Sequence, residues 1–173
     1  MKTRTVATVG AIVMAVALPQ LFHVAGRLLG VGTALGETFL PMHIAIFAVG
    51  LLAGTYVGGI AGLLAPLVSC LLTGMPAYAM LPFMMIELAS YGLISGALSD
   101  KNIPTIVKLL IAQIGGRAIR AVALLIGFYG FSTQIPPITA LTSIKTGLPG
   151  LLIQWVTIPL VMYFVARSVD RDE

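Results

Sequence analysis

Charge is what this chain has least of. Only 9% of its residues are Asp, Glu, Lys or Arg, against about 25% in a soluble globular protein. With 58% hydrophobic residues and a mean hydropathy of +1.04, too little polar surface exists to cover a water-soluble core. The chain reads as an integral membrane protein with nearly all of its length in the bilayer. Cysteine occurs once, as Cys70 in an apolar run. That excludes disulfides and cysteine-rich metal sites within one chain and leaves a buried, inert thiol. Acids are almost missing from the apolar runs: Glu87 stands alone, so no paired-carboxylate site can form. His23 and His43 are twenty residues apart and give no metal-ligand spacing. No phosphate-cradling glycine loop or Walker lysine is present, and neither histidine has a membrane-embedded acid nearby for Ser–His–Asp chemistry. Enzyme chemistry is therefore not expected. The net charge of +4 comes from basic residues that do not cluster, so it speaks of membrane topology rather than of nucleic acid.

What the chain does have is a series of apolar runs. Its 173 residues leave room for about six spans of ~20 residues with short loops. The expected fold is an all-α integral membrane domain over residues 1–173, six transmembrane helices with both termini cytoplasmic. Helix one runs from Thr5 to His23, after Lys2 and Arg4, and carries Ala7, Ala11 and Ala15 as a smooth stripe suited to close helix contact. The stripe serves internal packing or docking to another subunit. Ala15-Val16-Ala17 also resembles a signal-peptide cleavage site, though multispanning proteins usually keep their first helix. Val24 to Phe39 reads as an external loop. Helix two, Leu40 to Thr55, and helix three, Gly59 to Leu72, form a tight antiparallel pair joined at Tyr56-Val57-Gly58. Gly50, Gly54, Gly58 and Gly62 permit close approach on both sides of that turn, and Pro66 is expected to kink helix three. Thr73 to Tyr78 is an external turn. Helix four runs from Met80 to Leu98, with Pro82 in its first turn, where the missing N–H costs nothing. Helix five runs from Ile103 to Phe128 despite Lys108, Gln113, Arg117 and Arg120. Parity supports it: with six spans, Lys2, Arg4, Lys101, Lys108, Arg167 and Arg171 are inside, and only Arg27 and Lys145 outside. Phe131 to Gly147 is the last external loop, and helix six runs from Leu148 to Ala166.

Several polar side chains fall in the outer half of this arrangement. Glu87 lies about 10 Å below the outer surface at 1.5 Å per residue. A carboxylate there costs roughly 2.5–3.5 kcal/mol on insertion scales unless it has a partner. Arg117 and Arg120 lie roughly 12–18 Å below the outer end of helix five, on one face with Gln113. His43, Ser69, Tyr91 and Gln154 approach from helices two, three, four and six. Together these seven residues outline a pocket open to the outside and closed below. Each has a plainer reading. Glu87 and Arg117 can form a structural ion pair, His43 can brace a helix end, Tyr91 can be core, and Ser69 and Gln154 can bond across helices.

Over nearly its whole length, the chain resembles the substrate-binding S component of an energy-coupling factor (ECF) vitamin transporter. The resemblance rests on size, six spans, inside termini, the Ala7-xxx-Ala11-xxx-Ala15 stripe, and above all the text LPMHIAIFAVGLLAGTYVGGIAGLLAPLVSCLLTGMPAYAMLPFMMIELASYGLISGAL. It implies a bacterial plasma-membrane subunit that captures a vitamin or related micronutrient from outside. Such a subunit docks through helix one to a transmembrane coupling subunit driven by two ATPases and releases its cargo inside by toppling. ATP would be bound only by the partners, so no cofactor is expected here. The two arginines fit a carboxylate-bearing substrate such as pantothenate; a neutral heterocycle fits the same positions. Two other classes stay open. A self-sufficient secondary transporter or channel would use Glu87 as a proton or cation site, and a structural membrane protein would bind no small molecule.

Overall fold

The computed structural model describes residues 2–31 and 34–172. It is all-helical, with no strand among the described residues. The helices are α1 (Lys2–Leu28), α2 (Ala34–Phe39), α3 (Pro41–Thr73), α4 (Leu81–Ala97), α5 (Thr105–Gly130), α6 (Thr139–Thr146) and α7 (Leu148–Asp172). Two helical stretches are long and apolar enough to cross a membrane, Ala34–Thr73 and Thr105–Gly130. A third joins them if α6 and α7, bent by 58° at their junction, count as one. The outer faces carry large apolar side chains, compatible with a membrane protein: Ile114, Val122, Ile126, Leu152 and Val156 are exposed on α5 and α7.

α3 is two helices in one. Gly54 has φ 84 and ψ 179, a backbone state open to glycine and strained for other residues. A straight helix would separate residues 50 and 58 by about 12 Å. Here a Cβ added at Gly58 would sit 2.7 Å from the Gly50 Cα. The chain therefore folds back on itself, and 41–53 and 55–73 lie side by side. The antiparallel pair expected from the sequence is present, with its turn at Gly54 instead of Tyr56–Gly58. The turn sits there because φ > 0 is needed at one residue and glycine supplies it. Pro66 stays inside the second half, and Gly54 is the one residue of α3 with non-helical backbone angles.

α4 lies against both halves of α3. A Cβ at Gly92 would strike the Gly58 carbonyl, one at Gly62 the Leu88 carbonyl, and one at Gly96 the backbone of Thr55. Three backbones thus meet without side chains between them, the arrangement that small residues permit in bilayers. The pairing of 62 with 88, 58 with 92 and 55 with 96 runs α4 antiparallel to residues 55–73. α5 returns antiparallel to α4. Gly127 abuts the Phe83 ring, Gly116 the Tyr91 ring and Gly115 Ile94, while the Lys108 Nζ donates to the Ser99 carbonyl at 2.5 Å. The main core, with Ile46, Phe47, Ala61, Leu88, Tyr91, Leu109 and Ile158, joins α1, α3, α4, α5 and α7. Ala15 is fully buried within it, which is the internal-packing role. The side chains of Ala7 and Ala11 lie outside the described residues.

Helix four of the sequence reading, Met80–Leu98, matches α4 within a residue, and helix five shifts by two residues at each end. The two long loops differ more. Val24–Phe39 contains the end of α1 and the short α2, and Phe131–Gly147 contains α6. Both added helices are short pieces that cover one end of the bundle, and polar composition made them read as loop.

The glycine contacts give a direct expectation. Gly92→Ala places a methyl group into a backbone carbonyl that cannot move aside, and should lower stability by about 1–3 kcal/mol or more, the range of overpacked cores. Gly130→Ala, whose nearest outside neighbour is 3.9 Å away, should be neutral or slightly stabilising. Thermal unfolding in detergent checks both; equal melting points for the two variants would contradict the packing described.

Candidate functional site

Glu87 is the centre of a polar network inside an apolar bundle. Only 1% of it is exposed. Its position follows from α4, which starts at Leu81 with Pro82 in the first turn. Tyr91, one turn on along the same face, donates its hydroxyl to Glu87 Oε1 at 2.6 Å. Arg120 of α5 supplies the charge: its Nη1 lies 2.9 Å from Glu87 Oε2. The same Nη1 donates to Ser143 Oγ of α6 at 3.2 Å. Both carboxylate oxygens are thereby engaged, which is what a buried carboxylate requires. Tyr91 is itself held by ring contacts with His43, centroids 5.5 Å apart, and Phe47, 4.7 Å apart.

Beside this network is a cavity of about 410 Å³. The end of α1 contributes Pro19 and His23 to its wall. α2 contributes Glu37, and the start of α3 contributes Pro41, Met42 and His43. Ser69 and the turn Met75-Pro76-Ala77 close a second side. Met80, Met84 and Glu87 of α4, Arg117 and Arg120 of α5, and Thr139, Thr142, Ser143 and Thr146 of α6 complete it. Five of the seven residues expected at a pocket therefore share one wall: His43, Ser69, Glu87, Arg117 and Arg120. Tyr91 stands behind the wall and positions Glu87. Gln154 is elsewhere. It accepts from Gln113 Nε2 at 2.9 Å, and Gln113 Oε1 accepts from Trp155 Nε1 at 2.9 Å, a bond between α5 and α7 of the cross-helix kind.

The ion pair is Glu87–Arg120, not Glu87–Arg117. Arg117 has no ion pair or side-chain hydrogen bond among the described residues, and its buried Nε is unpartnered. His43 Nδ1 and Arg120 Nε are likewise buried without partners. Unsatisfied donors and acceptors of this kind are uncommon in native structures, and here four of them, counting His23 Nδ1, belong to residues lining one cavity. No group of three or more His, Cys, Asp or Glu side chains able to hold a metal occurs among the described residues.

α2 and α6 were missed from the sequence, as was the place of Pro19 and His23 of α1 on the cavity wall. A signal existed in TALTSIKT: Thr139, Thr142, Ser143 and Thr146 recur at i, i+3, i+4 and i+7, a hydroxyl face on a helix. No family model, curated protein or solved structure matches the chain.

The network predicts a specific double-mutant result. Glu87→Gln leaves the largely buried Arg120 without its counter-charge and should lower stability by about 3–5 kcal/mol, less whatever water in the cavity recovers. Arg120→Gln in the same protein should restore most of that loss, whereas Arg117→Gln should not. Melting points of the singles and doubles decide it. Equal rescue by both arginine changes would remove Arg120 as the specific partner.

Proposed function

We propose that this protein is the membrane-embedded binding subunit of an energy-coupling factor type importer, an S component that captures a vitamin or related micronutrient from outside. The supporting observation is the cavity. It lies at one end of an apolar bundle, has the size of small-molecule sites, roughly 300–1,000 Å³, and carries unpartnered polar atoms of His43, Arg117 and Arg120 on its wall. A purely structural bundle has no need of such a space.

In this reading the chain crosses a bacterial plasma membrane six times: α1, residues 41–53, residues 55–73, α4, α5 and α7. Both termini are cytoplasmic. The segment 41–53 is short for a span, about 20 Å against ~30 Å of hydrocarbon. It ends at the cavity, where irregular backbone is tolerated because protein and water surround it. The cavity end carries Arg27 and Lys145 and the opposite end Lys101, Lys108 and Arg167, a basic bias that supports a cavity facing outside. ATP hydrolysis falls to two partner ATPases, and a transmembrane coupling subunit links them to the chain through α1. Docking uses Ala7 and Ala11. Ala15, at 0% exposure, serves the chain's own core, so enlarging it would disturb the fold before it disturbed assembly.

The test is uptake and assembly together. The chain should co-purify with a coupling subunit and two ATPases, and accumulation of micronutrient in cells should stop when the ATPase partners are deleted. Ala11→Leu should abolish co-purification and leave the melting point unchanged. A cysteine at position 101, with Cys70 replaced, should resist an impermeant label applied from outside. Uptake by the chain alone, driven by a proton or ion gradient, would overturn the proposal in favour of a self-sufficient transporter.

A further inference from the structure

The charge on the cavity wall is not balanced residue by residue. Arg120 is offset by Glu87 at 2.9 Å, and Tyr91 takes the other carboxylate oxygen. Glu87 therefore has little left to give a ligand. Arg117, one turn earlier on α5, faces the same cavity with no ion pair or side-chain hydrogen bond among the described residues. Glu37 is the other acid on the wall, but it is exposed, on α2 at the rim. A charge in water acts about fourfold more weakly at a given distance than one in a partly desolvated site. The half-buried guanidinium of Arg117 thus dominates what an occupant meets.

The rest of the wall has a different character. Four methionines, Met42, Met75, Met80 and Met84, line the cavity from three separate parts of the chain. Thioethers are polarizable, adapt to irregular shapes and contact aromatic edges favourably. Pro19 and Pro76 add further apolar wall.

We infer that the cavity takes a small organic anion with an apolar or aromatic body, and that Arg117, rather than Arg120, anchors its negative group while the methionines hold the body. The inference rests on the reading of the cavity as a small-molecule site. Arg120 is then a positioning residue, tied to Glu87 and to Ser143 of α6, and Arg117 sets specificity for charge.

The experiment uses the full chain in detergent. Small molecules released by denaturing the protein purified from cells in rich medium are identified by mass spectrometry. In parallel, 2-naphthoate and its uncharged analogue 2-naphthamide are compared by thermal shift. An organic anion should be recovered from the wild type, and roughly ten-fold to a hundred-fold less from Arg117→Gln, the scale of one charge-assisted hydrogen bond. Naphthoate should raise the melting point of the wild type and not that of the variant, and naphthamide should raise neither. Arg117→Gln should fold, since Arg117 holds nothing in place; Arg117→Met, which keeps an unbranched apolar stem, is the second variant. A neutral or cationic occupant, or an anion retained equally by both folded variants, overturns the anion assignment and leaves the binding reading standing. No occupant, together with no shift from either probe, overturns both.

Discussion

A carboxylate inside an apolar helix bundle must be met by a cation and by hydrogen-bond donors from elsewhere in the chain, and the architecture depends on that requirement at Glu87. Leaving one partner of a buried pair alone costs several kcal/mol, comparable with the whole stability of many domains. The partner, Arg120, is thirty-three residues away. It reaches Glu87 only if α4 and α5 lie close along their length, and Gly116 against the Tyr91 ring and Gly127 against the Phe83 ring provide that closeness. Tyr91 completes the pair and is fixed in turn by His43 and Phe47. One polar requirement thus sets the relative positions of α3, α4 and α5.

The opposite end of the bundle is held by a different principle. In hydrocarbon, helix association gains little from apolar burial, so close backbone approach matters more. Gly50 and Gly58 of α3 meet Gly92 and Gly96 of α4 there. The result is a tightly closed end at the Gly54 turn and a splayed end where the cavity lies. α2 and α6 cover that splayed end, and Arg120 bridges from Glu87 to Ser143 of α6, so the deep network and the cover share one side chain. An occupant that displaced Ser143 from Arg120 would loosen α6, a coupling of binding to cover movement.

Much of this was legible in the sequence, for identifiable reasons. Long apolar runs and Gly/Pro punctuation gave the helices, and the lone acid in an apolar run pointed to Glu87 because such a group is too costly to be incidental. Helical spacing put Arg117 and Arg120 on one face, but periodicity does not say which of two neighbouring arginines a distant carboxylate will choose. That depends on the depth at which α4 and α5 meet, a tertiary property. Gln154 has the right polarity and depth for a pocket, yet its rotation about α7 turns it to Gln113. α2 and α6 escaped because six to eight residues of mixed polarity are weak helix signals in isolation and gain their helicity from covering the bundle.

The central claim is that the space lined by α1, α2, α3, α4, α5 and α6 is a ligand site rather than a packing defect. Site-directed labelling tests it most directly. With Cys70 replaced, a cysteine at Thr142, on the cavity wall, and one at Tyr129, exposed on α5, are labelled with a small thiol reagent. The reaction is run with and without the low-molecular-weight fraction of rich growth medium, on protein first stripped by mild denaturation and refolding. The account predicts slower labelling at position 142 in the presence of that fraction and an unchanged rate at position 129. Equal rates at position 142 with and without the fraction, in protein that retains its melting transition, would contradict it.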